Sequence, residues 1–205
     1  MSELLQKFLN AINVTQAELD EEIDWVAQVL HEYYNELETP VLCHNDLHLG
    51  NMMIDEDDTT GDSLILIDFD NTRYGYRAFD FVYHFGYQSL STETDEWVPN
   101  GDTTYYPNQT VIDDFLTIYS ANYNGPLDAS IETLQAEVRA HSPYVLLEQI
   151  AFLYGVSGTA PRGMQCEYER YASAYGRDSA IKCSSSNSQA AAASLLLTLF
   201  MIIVQ

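Results

Sequence analysis

An α+β fold, mostly helical with one short β-ribbon, is what the sequence predicts. Three observations carry that expectation. Apolar residues recur at helical spacing in several long segments. Two short apolar runs, 41–43 and 64–67, border polar, turn-rich stretches and read as strands. The length of 205 residues with 46% apolar side chains suits one domain with a substantial core.

Each element has its own signal. Leu4, Leu5, Phe8, Leu9 and Ile12 recur at helical spacing and predict a helix over 2–12. Thr15 reads as an N-cap, with Glu18 as its capping-box partner. The helix that follows runs to about Leu37 and turns Leu19, Ile23, Val26, Leu30 and Tyr33/Tyr34 inward; Pro40 closes that region. Val41-Leu42-Cys43 predicts a strand that feeds a polar turn and continues into 51–55. The acidic stretch 55–62 reads as a hairpin loop, and 64–67 as the returning strand. Helices are expected at 78–90, 110–123, 128–140, 143–156 and 164–180, with a loop over 94–109. Residues 1–183 form the folded unit. Residues 184–205 are a Ser-rich linker and an apolar tail. That tail is shorter than the roughly 20 residues a spanning helix needs. It reads as a packed or partner-binding helix, or an aberrant end, ahead of a membrane element.

Net charge is −23. Such a chain repels nucleic acid and anionic membranes, which select basic surfaces, and attracts cations. The first ten residues carry Glu3 and no uninterrupted apolar run, so they do not read as a signal peptide. The three cysteines, Cys43, Cys166 and Cys183, are odd in number and lack metal-ligand spacing. A reduced, cytoplasmic setting is therefore expected, with Cys43 a buried small hydrophobe.

Chemistry concentrates in His44-Asn45-Asp46-Leu47-His48-Leu49-Gly50-Asn51 and Ile65-Leu66-Ile67-Asp68-Phe69-Asp70. An Asp and an Asn stand five apart on a turn, and a second Asp ends an apolar strand. Carboxylate and amide oxygens suit Mg²⁺, which needs few protein ligands when phosphates and water complete its octahedron. A carboxylate beside an alcohol can also take its proton as the oxygen attacks phosphorus. The order is that of the protein-kinase base Asp, metal Asn and D-F-G Asp, with Asn45 in place of Arg and Asp70 in place of Gly.

The two segments, with Tyr74-Gly75-Tyr76-Arg77-Ala78-Phe79-Asp80 and His84-Phe85, resemble the signatures of the choline/ethanolamine kinase family over roughly residues 20–183. The resemblance implies the C-terminal lobe of a protein-kinase-like fold. The N-terminal ATP-binding lobe, with its strand Lys and Gly-rich loop, is expected to be absent. It implies ATP-dependent phosphoryl transfer to the hydroxyl of choline or ethanolamine, a first step of phospholipid biosynthesis, with Mg²⁺ and ATP. Asp46 would be the catalytic base, and Asn51, Asp68 and Asp70 the metal ligands. His48, Tyr87, Tyr154, Tyr168 and Tyr171 would meet the substrate. Tyr87 replaces an acidic residue of the family, and Ala151 and Tyr154 replace two tryptophans of its ammonium cage. Arg77 and Asp80 are expected to form a buried pair. The alternatives are an inactive binding or regulatory module that dimerises with itself or a kinase relative, and an aminoglycoside-type kinase. The Tyr-Gly-Tyr-Arg-Ala-Phe-Asp run argues against the latter.

Overall fold

Helix α1 (Glu3–Ile12) forms as its spacing requires and buries Phe8, Leu9 and Ile12. Thr15 and Glu18 make the reciprocal capping box: Thr15 N donates to Glu18 Oε2 at 2.7 Å, and Glu18 N to Thr15 Oγ1 at 3.2 Å. Helix α2 follows (Gln16–Tyr34), with Leu19, Ile23, Val26 and Val29 buried. The computed structural model describes residues 3–34, 40–55, 57–58, 60, 63–88, 106–158 and 160–183. The end of the expected second helix, most of the 94–109 loop and the 184–205 tail lie outside the described residues. Among the described residues no helix is long and apolar enough to cross a membrane.

The expected hairpin forms, and a second small sheet joins it that the sequence reading did not foresee. β1 (Val41–Cys43) pairs antiparallel with β4 (Arg73–Gly75), while β2 (Met52–Met53) pairs antiparallel with β3 (Ile65–Leu66). The polar turn 44–51 therefore bridges two small sheets. The acidic hairpin loop is internally tied, with Asp58 accepting from Thr60 N, Thr60 Oγ1 and Ser63 N.

Four further helices complete the described part: α3 (Arg77–Gln88), α4 (Gln109–Asn122), α5 (Ile131–Ser157) and α6 (Arg162–Ala174). α5 is the hub, packing on α2, α3, α4 and α6. It runs unbroken through Pro143, where the sequence predicts two helices. The ring removes one backbone donor, a loss of about 3 kcal/mol in an isolated helix. Here Ala140, Val145, Leu146 and Leu147 are buried around it, and Ser142 Oγ donates to Val138 O at 2.6 Å. Each large aliphatic side chain so buried contributes about 1.5–3 kcal/mol, enough to hold the helix together. α6 ends at Ala174, earlier than expected, because Gly176 takes the left-handed conformation and Arg177 N closes onto Ala172 O.

Two further expectations are corrected. Cys166 and Cys183 form a disulfide, while Cys43 is free and buried as expected. The bridge holds the segment after α6 against that helix, where Ile181 is fully buried and Ala180 N donates to Glu22 at 2.7 Å. Glu22 lies wholly inside and also accepts from Tyr168 Oη and Arg177 Nε. Arg77 does not pair with Asp80. Its guanidinium grips Glu137 of α5 through Nε at 2.8 Å and Nη2 at 2.5 Å, and also donates to the Asp128 carbonyl. Tyr123 lies 5.2 Å from it. The fork fits a carboxylate two-pronged, and Asp80 is engaged elsewhere.

Arg77 is 4% and Glu137 0% exposed. Arg77→Met would leave that carboxylate uncompensated, which costs about 3–5 kcal/mol. Urea unfolding should show a loss of that order; a loss under about 1 kcal/mol would contradict the pair's structural weight.

Candidate active site

The turn between β1 and β2 is built on one carboxylate. Asp80, in the first turn of α3, accepts the backbone N–H of His44 at 2.7 Å and of Asn45 at 2.8 Å. Burial pushes its carboxyl above the ordinary value, against these two bonds. Asn45 adopts the left-handed conformation at φ 60°, which a short polar side chain tolerates best. Its amide donates to Cys43 O and Asn71 O, tying the turn to the strand ends. His44 Nε2 donates to Ile67 O at 2.9 Å. The opening of the turn is thereby fastened to both α3 and the segment after β3.

Asp46 stands at the centre. Its Oδ1 accepts from Tyr83 Oη at 2.9 Å, and its Oδ2 lies 3.5 Å from Asn71 Nδ2. Its side chain is 21% exposed, so the carboxylate is braced yet reachable. Asn51 is buried on a short 3₁₀ turn and donates Nδ2 to Asp46 O at 2.9 Å. Ile67 N donates to Asn51 O at 3.0 Å, which brings the start of the Asp68 segment alongside. Asp68 is held at φ 59°, a left-handed conformation that costs a non-glycine residue about 1–3 kcal/mol. Such strain, at a carboxylate beside a braced turn, marks a place where the fold imposes a direction. Asp70 is exposed in the next turn and makes no hydrogen bond or ion pair among the described residues.

His48 accepts from Gly50 N through Nδ1 at 3.0 Å, so its proton sits on Nε2, 3.5 Å from Asp46 Oδ1. Burial lowers its pKa and favours the neutral ring. A Cβ on Gly50 would come within 2.9 Å of that ring, so the close approach needs glycine. The imidazole stacks on Tyr87 at 4.9 Å, and Tyr83 and Tyr87 join through their hydroxyls at 3.2 Å.

The other tyrosines expected at the substrate lie elsewhere. Tyr154 is 2% exposed and packs on Phe8. Tyr168 is fully buried, bonded to Glu22 and edge-on to Trp25. Their rings are covered by α1 and α2 and present no open face to a ligand. Tyr171 lines a cavity of about 400 Å³ between α4, α5 and α6. Sequence reasoning missed Tyr83, one helical turn before Tyr87, and Tyr144 and Glu148 of α5. The Tyr83–Tyr87 spacing on one helix face was the available signal. Glu148 had none, since only the fold brings it here.

Glu148 is influenced electrostatically by Asp46 and Arg73, and itself acts on Tyr83, Tyr87 and Tyr144. Its Oε2 is closed off with no hydrogen-bond partner among the described residues. Burial pushes its carboxyl up to about 7. Among the described residues no three His, Cys, Asp or Glu side chains converge as a metal-binding group. Any ion here would rest on one or two side chains plus a ligand's own oxygens.

The sequence pattern of the family described as Choline/ethanolamine kinase matches residues 3–178. A human protein described as "Choline/ethanolamine kinase" is 37% identical over 70 residues, 34% of this chain and 18% of that protein. An Arabidopsis thaliana protein described as "Probable choline kinase 1" is 28% identical over 133 residues, 63% of this chain and 36% of the relative. A Caenorhabditis elegans protein described as "Choline kinase A2" is 35% identical over 78 residues, 26% of this chain and 18% of the relative. The matches therefore span well under half the length of these relatives.

The Glu148 carboxyl binds its proton more tightly in the folded chain than in the unfolded one. Between the ordinary carboxylate range and about 7, stability should fall as pH rises, then level off. Glu148→Gln removes that slope. Denaturant unfolding should find the variant close to the parent at about pH 5 and more stable by about 3 kcal/mol at about pH 8. An equal difference at both pH values would contradict the assignment.

Proposed function

Because the chain belongs to the choline/ethanolamine kinase family, we propose that it carries the alcohol-accepting site of an ATP-dependent phosphotransferase acting on a small amino alcohol. The observation that carries this reading is the Asp46 carboxylate, braced on Oδ1 by Tyr83 Oη at 2.9 Å and reachable from solvent. Asp46 is the general base. Tyr83 holds one oxygen, and the other, whose one contact among the described residues is the long one to Asn71, takes the hydroxyl proton of the alcohol. Much of the gain is positional, since phosphoryl transfer passes through a loose transition state. His48, kept neutral, orients the carboxylate and lines the approach beside Tyr87.

Asn51, Asp68 and Asp70 fit Mg²⁺ as the site's ion. They offer hard oxygen donors, and the commitment of Asn51 Nδ2 to Asp46 O leaves its amide oxygen as the atom to meet a cation. When bound, the ion offsets the charge of the ATP phosphates. The net charge of −23 supports a cationic alcohol over an anionic one. A pairing with another kinase chain belongs to the same reading. The presence of Tyr87 where the family has an acidic residue favours, as a second reading, a non-catalytic module that associates with a full-length kinase.

The test is formation of phosphorylated alcohol from Mg·ATP and ethanolamine or choline. One reaction contains the chain alone. A parallel one adds a polypeptide carrying the phosphate-gripping loop and lysine of a relative. Asp46→Asn is expected to lower the rate about 10²–10⁴-fold. A rate untouched by that change would remove Asp46 from the chemistry. Absence of product in both reactions, with co-migration of the chain and a full-length kinase, would favour the second reading.

A further inference from the structure

The structure assigns the cavity between α4, α5 and α6 to a small, flat, apolar ligand that carries one carboxylate, the anion of an aromatic acid. The cavity measures about 400 Å³. Small-molecule sites occupy about 300–1,000 Å³ and combine apolar walls with a few polar groups that fix orientation. Here Ile112, Leu116 and Val138 supply buried aliphatic wall. Tyr171, buried, and Tyr175, exposed, add ring surface. Every lining residue belongs to α4, α5, α6 or the cap of α6, whereas Asp46 is held by the 44–51 turn and by Tyr83 of α3. The inference therefore stands apart from the phosphotransfer reading.

Charge singles this cavity out. The chain has 8 Lys and Arg against 31 Asp and Glu, yet Arg139 and Arg170 both line the one space. Arg170 is committed: its Nε donates to Glu167 at 2.6 Å, and its guanidinium lies 4.2 Å from the centre of the Tyr171 ring. Arg139 makes no hydrogen bond or ion pair among the described residues. Its planar fork is left to take a carboxylate two-pronged. Asp113, the one acid in the lining, already accepts from Gln109 Nε2 at 2.9 Å and Gln135 Nε2 at 2.8 Å. Its charge opposes a dianion, which favours a carboxylate over a phosphate monoester. Two guanidinium groups in turn oppose a cationic amino alcohol, so Tyr171 serves a space of the opposite preference from the one its sequence motif implies.

A hydrogen bond between charged groups corresponds to roughly a 10–100-fold difference in affinity. Nuclear magnetic resonance titration of the isotope-labelled 205-residue chain reads both affinity and place. The probes are 2-naphthoate and, in a parallel series, its uncharged amide. The acid should bind at least about tenfold more tightly than the amide and shift the backbone signals of Ile112, Arg139 and Tyr171. Arg139→Gln should remove that preference. Arg162→Gln, which alters an exposed cation of α6 outside the cavity, should leave the affinities within about twofold. Ala174→Phe, at an exposed lining position, fills the space and should abolish binding of both probes. Circular dichroism confirms that each variant is folded. The assignment is overturned by acid and amide binding alike, by shifts gathered elsewhere, or by no binding at all. A preference that survives Arg139→Gln, or binding that survives Ala174→Phe, overturns it equally.

Discussion

Two backbone hydrogen bonds to a single carboxylate hold the chemical end of this molecule in shape. Asp80 takes the N–H groups of His44 and Asn45, and with them fixes where the chain must turn after β1. Neither donor is satisfied by a strand ladder, because the chain has left β1 and not yet reached β2. Without the carboxylate, both would be lost to a partly buried environment, at about 1–3 kcal/mol each. The left-handed backbone at Asn45 is tolerable only while that clamp holds. The positions of Asp46, His48 and Asn51 all follow from it.

The clamp itself rests on α3, and α3 rests on α5. Arg77 fastens the first turn of α3 to Glu137, and Gln149 Nε2 donates to the Tyr83 carbonyl at 2.9 Å further along. Gly86 gives Gln149 its room, since a Cβ there would meet the amide at 2.0 Å. α5 thus serves the core with its aliphatic face and the site with Tyr144 and Glu148. Interrupting it at Pro143 would separate Glu137 from Glu148, and so uncouple the Arg77 anchor from the acid that influences Asp46.

Local signals were legible in the sequence, and long-range ones were not. The capping box at Thr15 and Glu18 lies within four residues and could be read directly. The turn that carries Asp46, His48 and Asn51 was equally local, with His48 Nε2 3.5 Å from Asp46 Oδ1 and the Asn51 amide on the Asp46 backbone carbonyl. The hairpin of β2 and β3 was legible too, whereas the pairing of Val41–Cys43 with Arg73–Gly75 was not, because only the fold joins those strands. Pro143 suggested a break that buried neighbours on both sides override. The Arg77–Glu137 pair spans 60 positions, and no periodicity announces it. The disulfide was missed because three cysteines leave one unpaired under any scheme, and composition cannot say which. Tyr168 matched a motif and Tyr154 stood at a tryptophan position, yet helix packing took both rings for the core.

Phosphoryl transfer as proposed requires one divalent ion held by Asn51, Asp68 and Asp70, close to the Asp46 carboxylate. Manganese, a paramagnetic stand-in for Mg²⁺, tests it most directly when titrated into the isotope-labelled chain. The account predicts selective broadening of the amide signals of residues 46, 51 and 68 at the lowest additions. Broadening confined to the acidic hairpin loop around Asp55 and Asp58, with the 44–51 turn untouched, would contradict it.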